Sequence, residues 1–280
     1  MQAIIIMLIA VVVMFLIERW WPANGLPKVP HWWPRVILTN FVQVAIVFIM
    51  GLTWDKWLMT MEWSPPWAVR QYMGIVGQVA IGYIGLTFIY YWWHRVRHDS
   101  QFLWKLCHQI HHSPRRMEVL MSFYKYPVEI TINGLLSSFI VFPLIGCTPQ
   151  AAALVTLATG LAEFFYHWNI STPRWLGPFF QRPESHRVHH QKNHHTNNYS
   201  DIPLWDIIFG TYQNPKEKIA ECGYTASRED RFEDMLGFRD VHAKGSDKLS
   251  PLHLLPSCLG CSKRWACHES RTKNSKNDSL

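Results

Sequence analysis

Apolar residues in this chain fall into long unbroken runs separated by short polar stretches. Runs of this kind read as membrane spans rather than as the half-buried faces of soluble helices. The first, Ala3 to Ile17, is wholly apolar and is closed by Glu18-Arg19-Trp20-Trp21. It shows neither the basic start nor the small-residue cleavage site of a signal peptide, so it is expected to stay in place as a spanning helix. The second is Val36 to Trp54, with no charge between Arg35 and Asp55. The third lies between Arg70 and His94 and ends in Tyr90-Tyr91-Trp92-Trp93. Aromatic residues at the ends of these runs fit the interfacial belt of a bilayer.

No charged residue occurs between Glu129 and Glu163. One helix over that stretch would be about 50 Å long at 1.5 Å per residue, against about 30 Å of hydrocarbon. Pro143, Gly146 and Pro149 interrupt it near the middle. The expected form is a membrane hairpin over residues 130–168, whose arms, a fourth and a fifth span, leave and return on one side. The segment from His94 to Tyr126 carries Arg95, Arg97, Lys105, Arg115, Arg116 and Lys125, whereas the connection from Gly146 to Gln150 carries no charge. By the positive-inside rule the basic segment is cytoplasmic and the N-terminus lies outside. The fold class expected is all-α: an integral-membrane helical bundle with a cytosolic-face helical cap. Residues 1–93 would supply N-terminal spans, 94–213 the catalytic region with its hairpin, and 214–280 a polar C-terminal tail, partly disordered. Residues 224–242 could hold a short helix or two.

The composition narrows the class further. Charged residues make up 17% and aromatic residues 14%, with 15 Trp, whereas an ordinary soluble domain carries about 25% charged residues. The formal charge of +7 sits in particular loops, which fits membrane topology, and no nucleic-acid partner is expected. Cys107, Cys147 and Cys222 are too sparse for a disulfide scaffold. Cys258, Cys261 and Cys267 in the tail have a spacing that could hold zinc, but a second clean pair is missing, so they read as free thiols.

Histidine is the least ordinary feature. Of 15 His, nine fall in four tight groups. His94 and His98 stand at i and i+4, on one helical face. His108, His111 and His112 supply i, i+3 and i+4, and His186, His189 and His190 repeat that spacing. His167 follows Glu163 at i+4. Neutral imidazole binds iron, zinc and copper well, and two rings one turn apart can grip one ion. Eight histidines in three clusters, with His167 and Glu163 in a fourth, suit two metals and are generous for one. The topology places all four groups on the cytoplasmic face. Glu163, Asn169 and His194 are further candidates as ligands or as supports of ligands, and Glu129, Asp201 and Asp206 as supports. His195 reads as a solvated loop residue.

With these motifs the chain resembles the fatty acid hydroxylase and sterol desaturase superfamily. The likeness runs from about Tyr90 to Tyr212. It covers the HxxxH of His94 and His98, the first HxxHH followed by Ser113, and Pro127-Val-Glu129. It continues through Phe165-Tyr-His167-Trp-Asn169, the second HxxHH, Asn198-Tyr199, and Trp205-Asp206 leading to Phe209-Gly210-Thr211-Tyr212. The resemblance implies two iron ions at a cytosolic-face site that activates O₂ and hydroxylates or desaturates a lipid. Its implied ligands are His94, His98, His108, His111, His112, His167, His186, His189 and His190. Two departures stand out: Glu163 where several relatives have histidine, and Tyr126 where many have His-Pro-x-Glu. No haem, flavin or Gly-rich dinucleotide signature is present, so electrons would come from a separate electron-transfer protein. Lipid substrate and membrane lipids complete the expected partners. The short N-terminus suggests a bacterial inner membrane.

Two rivals were weighed. A membrane metal transporter would carry ionisable groups within its spans, and these spans are nearly free of them. A catalytically inactive lipid-binding relative has only Glu163 in its favour.

Overall fold

A computed structural model describes residues 2–61 and 65–242 of the chain. Among these the structure is all-helical, and one isolated bridge, Gln191 to Cys222, is the nearest approach to a sheet. The chain begins with α1 (Gln2–Trp20). It continues through α2 (Trp32–Leu52) and α3 (Trp54–Thr60), bent against each other at Thr53. α4 (Ile75–Asp99) carries the first histidines out of the bundle. α5 (Gln101–Leu103), a π-helical turn at Trp104–His108 and α6 (Gln109–His112) start the cap. α7 (Pro127–Phe139) and α8 (Pro149–His167) return to the bundle. α9 (Pro183–His189), α10 (Pro203–Ile208), α11 (Ala226–Glu229) and α12 (Phe232–Leu236) complete the cap. Proline opens α7, α8, α9 and α10, where its missing N–H and fixed φ suit a first turn.

The hairpin forms as the uncharged run required. α7 ends in a π-helical turn, Ile140–Leu144, that contains Pro143. Gly146 then turns the chain at φ +76°, and a Cβ there would meet that of Ala68 at 2.4 Å. Only glycine suits both the left-handed backbone and the close approach. The Thr148 hydroxyl accepts the Ala151 N–H at 3.4 Å and caps α8. Glu129 near the start of α7 and His167 at the end of α8 both face the histidines, so the two arms leave and return on the same side.

Three stretches are long and apolar enough to cross a membrane: Trp32–Thr60, Ile75–Asp99 and Pro127–Leu144. The sequence pattern predicts five spans. The remaining two runs are also helical, but α8 carries Gln150, Thr156, Thr159 and Glu163 and packs between α1 and α4. Outward residues such as Phe41, Val44 and Phe48 of α2 are exposed, the pattern of a lipid-facing helix. Inside the bundle, Leu86, Val141, Ala151 and Val155 form one core. A second, under the cap, gathers Trp32, Trp104, Tyr124, Tyr126, Tyr224 and Met235.

Buried charge ties the bundle to the cap. One Glu18 oxygen accepts the N–H groups of Val119 at 3.0 Å and Asn169 at 3.1 Å. Arg19 pairs with Glu118, which also takes Arg116 Nε at 2.9 Å. The expected short helices of the tail are α11 and α12. They pack back on the cap, where Gln109 Nε2 donates to the Arg239 carbonyl at 2.8 Å and Gln109 Oε1 accepts the Val241 N–H at 3.0 Å. Cys258, Cys261 and Cys267, and the disorder expected of the tail's end, lie outside the described residues. Cys107, Cys147 and Cys222 are buried free thiols.

Candidate metal centre

The nine motif histidines converge into two groups. His94, His98, His108, His112 and His189 form one, and His111, His167, His186 and His190 the other. Within each, one ring nitrogen per histidine lies within 4.8 Å of all the others. The spacing rules explain the division. Each i, i+4 pair stays together: His94 with His98, His108 with His112, His186 with His190. The i+3 member of each HxxHH crosses over, so His111 joins the second group and His189 the first. The groups share a wall, because the rings of His112 and His190 stack at 4.2 Å and 17°.

Nδ1 anchors aim several of these rings. His94 Nδ1 meets the Tyr199 carbonyl at 2.6 Å, His189 Nδ1 that of Asn197 at 2.7 Å, and His167 Nδ1 that of Glu163 at 2.9 Å. His108 Nδ1 lies 3.1 Å from Glu129 Oε1, which also takes Arg97. A neutral imidazole that donates from Nδ1 keeps only a lone pair at Nε2. The Nε2 atoms turn toward each other: His94 Nε2 is 2.9 Å from His108 Nε2, which is 3.1 Å from His112 Nε2. In the second group His186 Nε2 lies 3.2 Å from both His167 Nε2 and His190 Nε2. His189 Nε2 is buried with no hydrogen-bond partner. Each ring can turn one lone pair to this space, and a cation at its middle would be shared by the whole group. Protons are poor candidates, since burial pushes His108, His111, His112, His186, His189 and His190 well below the usual imidazole range, and neighbouring positive groups add to this. The donor set therefore fits metal ions, one to each group.

Carboxylates and carbonyls behind the rings fix this arrangement. Asp206 is fully buried and accepts Tyr199 N–H at 2.8 Å, Ser200 N–H at 2.9 Å and Thr211 Oγ1 at 2.7 Å. It thus holds the carbonyl that orients His94. Asp201 accepts the Tyr166 hydroxyl at 3.0 Å, and the Tyr166 ring lies 4.3 Å from that of His186. The loop between α9 and α10 holds Asn193, His195, Asn197 and Asn198 at positive φ, a conformation asparagine tolerates better than most residues.

The other candidates fall outside both groups. The Glu163 carboxylate pairs with Lys125, and only its backbone carbonyl touches His167. Asn169 binds Asn24, with its Oδ1 accepting the Asn24 N–H at 3.1 Å and its Nδ2 donating to the Asn24 carbonyl at 2.8 Å. His194 Nε2 lies 3.1 Å from Asn197 Oδ1 and 2.9 Å from Thr196 Oγ1. His195 corrects the sequence reading: it is not solvated but 1% exposed, and its Nδ1 lies 3.1 Å from His112 Nδ1. The sequence carries no periodic signal for it, because a left-handed turn brings it inward. Burial holds its pKa down to about 3.

Two crossed histidine groups, each able to hold a metal ion, stand at the cap end of a helical bundle in which three stretches are long and apolar enough to cross a membrane. Residues 79–211, just under half of the chain, match the model of the fatty acid hydroxylase family. It is 27% identical to alkylglycerol monooxygenase of Homo sapiens over 70% of this chain and 40% of that protein. It is 27% identical to ornithine lipid hydroxylase OlsE of Rhizobium tropici over 49% of this chain and 42% of that one. With very-long-chain aldehyde decarbonylase GL1-9 of Oryza sativa it shares 24% identity, over 63% and 68% of the two chains. The alignments span about two-fifths of the alkylglycerol monooxygenases. No solved structure matches.

Proposed function

We propose that this chain is a membrane-bound, O₂-dependent lipid hydroxylase whose nine motif histidines hold two iron ions. The observation that carries the reading is the pair of histidine groups in which one ring nitrogen from each residue lies within 4.8 Å of the others. Names of the relatives support the reaction class: a monooxygenase and a hydroxylase, each of a lipid. Bound there, iron would supply the O₂ activation that oxidation of an unactivated C–H bond requires. The chain's own residues hold the rings in one tautomer, through the carbonyls of Tyr199, Asn197 and Glu163 and the carboxylate of Glu129. Buried Tyr91, Trp104 and Tyr199 wall the first group from water. α4, a helix long and apolar enough to cross a membrane, carries His94 and His98 at its end, so an acyl or alkyl chain would reach the centre from the membrane. The basic segment around Arg115 and Arg116 supports a cytoplasmic position for the cap. A separate protein would deliver the electrons.

The reading is tested by metal analysis and Mössbauer spectroscopy of detergent-purified protein grown on iron-57, followed by incubation with alkylglycerols and amino-acid lipids under ¹⁸O₂ with dithionite. About two irons per chain in a coupled pair, and one ¹⁸O in a lipid product, are expected. Zinc alone, with no iron bound after anaerobic reconstitution, would overturn it.

A further inference from the structure

Between the α1–α2 loop and the cap lies a groove of about 420 Å³, lined by Gly25 to Pro27, Arg115, Arg187, Lys192, Glu221 and Tyr224 among others. A second depression adjoins it, shares Lys192 and Glu221, and adds Lys218. The charge there is mainly positive. Lys192 pairs with Glu221 at 2.9 Å and Arg115 with Glu229 at 2.6 Å. Arg187, by contrast, bonds the Ile219 carbonyl at 2.9 Å through Nη2 and no carboxylate among the described residues. Lys218 is exposed and bonds the carbonyl of Ala23 at 3.0 Å.

The wall between this groove and the metal centre is thin. Tyr224, 2% exposed, lines the groove, and its ring lies 5.5 Å from that of His195. The His195 ring lies 5.1 Å from that of His112, with the two Nδ1 atoms 3.1 Å apart. Beside this path Gly223 N–H donates to the carbonyl of His190 at 2.9 Å. Two rings in contact, and one backbone hydrogen bond, join the groove to the two stacked histidines that the groups share.

We propose that this groove docks a small acidic one-electron carrier protein, and that the packed rings of Tyr224 and His195 form the path by which its electrons tunnel to His112. The proposal rests on the oxygenase reading. Hydroxylation takes up O₂, two electrons and two protons for each C–H bond; one oxygen atom goes to carbon and the other leaves as water. The two electrons arrive one at a time from the carrier and the protons come from solvent. A basic groove attracts an acidic carrier and raises its encounter rate at low ionic strength.

Stopped-flow reduction of the iron-loaded, detergent-purified full chain tests this, with an acidic plant-type [2Fe–2S] ferredoxin as reductant and dithionite in parallel. Ferredoxin is expected to reduce the wild type at a rate that falls steeply with salt. Lys192→Glu with Lys218→Glu should lower the second-order rate about tenfold or more and flatten its salt dependence. Tyr224→Leu should instead lower the limiting rate at saturating ferredoxin and leave half-saturation unchanged. Dithionite, which needs no docking surface, reports whether each variant keeps its irons. Unaltered ferredoxin kinetics in the lysine variant, or no reduction of the wild type by ferredoxin where dithionite succeeds, overturns the proposal alone. An iron-loaded protein that dithionite cannot reduce overturns the oxygenase reading and the proposal with it.

Discussion

Glu129 joins the membrane bundle to the first histidine group, and its replacement gives the sharpest test of how the centre is held. One of its oxygens takes both Arg97 and His108 Nδ1, the latter at 3.1 Å. Glu129 is fully buried and Arg97 is 4% exposed. Glu129→Gln keeps the shape and removes the charge. Arg97 is left as a buried cation without its partner, a change that costs about 3–5 kcal/mol. A glutamine amide oxygen can still accept one bond, so the lower end of that range is expected. His108 loses the carboxylate that fixes its tautomer, and such a loss weakens metal binding about 10–100-fold. The second group has no contact with Glu129, so the metal lost should be the one held by His94, His98, His108, His112 and His189. Thermal unfolding in detergent, with metal content measured against graded chelator, would show a lower Tm and a first metal released at lower chelator concentration. Arg97→Met with Glu129→Leu removes both charges and should recover stability without recovering affinity. A single variant that keeps the wild-type chelator curve would refute this account.

Three further outcomes are expected. His111→Ala and His189→Ala each remove one inward nitrogen from a different group, and each should abolish turnover while leaving about one metal per chain and normal membrane insertion; full activity in either purified variant would remove that residue from the ligand set. Glu163→Gln should leave metal content unchanged, because its carboxylate faces Lys125 and its carbonyl, which anchors His167, is retained; a loss of half the metal would make it a ligand. Gly223→Ala should destabilise by several kcal/mol, since its Cβ would meet the Pro114 carbonyl oxygen at 2.2 Å and its φ is +74°, and a Tm within a degree of wild type would show that the loop gives way freely.

Much of this architecture could be read from local rules. An uncharged stretch too long for one span forced a hairpin, and its proline and glycine residues placed the turn. Helical spacing predicted which histidines share a face, and every i, i+4 pair does lie in one group. The crossing of His111 and His189 could not be read this way, because it depends on how α6 and α9 approach each other. Its spacing to His167 left Glu163 open as a ligand or as a support; Lys125, 38 positions away, takes its carboxylate, and its carbonyl meets His167 Nδ1. His195 was hidden for a different reason: a run of left-handed residues has no periodicity, so a buried turn and a solvated loop look alike.

The stack of His112 on His190 joins two otherwise separate ligand sets through one contact. If each group takes one ion, as proposed, the first to arrive orders one ring, and that ring restrains its neighbour in the other set before the second is bound. Loading is therefore expected to be cooperative, with the coupling equal in both directions. At half the required metal the wild type should hold fewer singly loaded molecules than two independent sites would give. A centre filled in this way guards itself against the half-assembled state, in which one ion alone would meet oxygen.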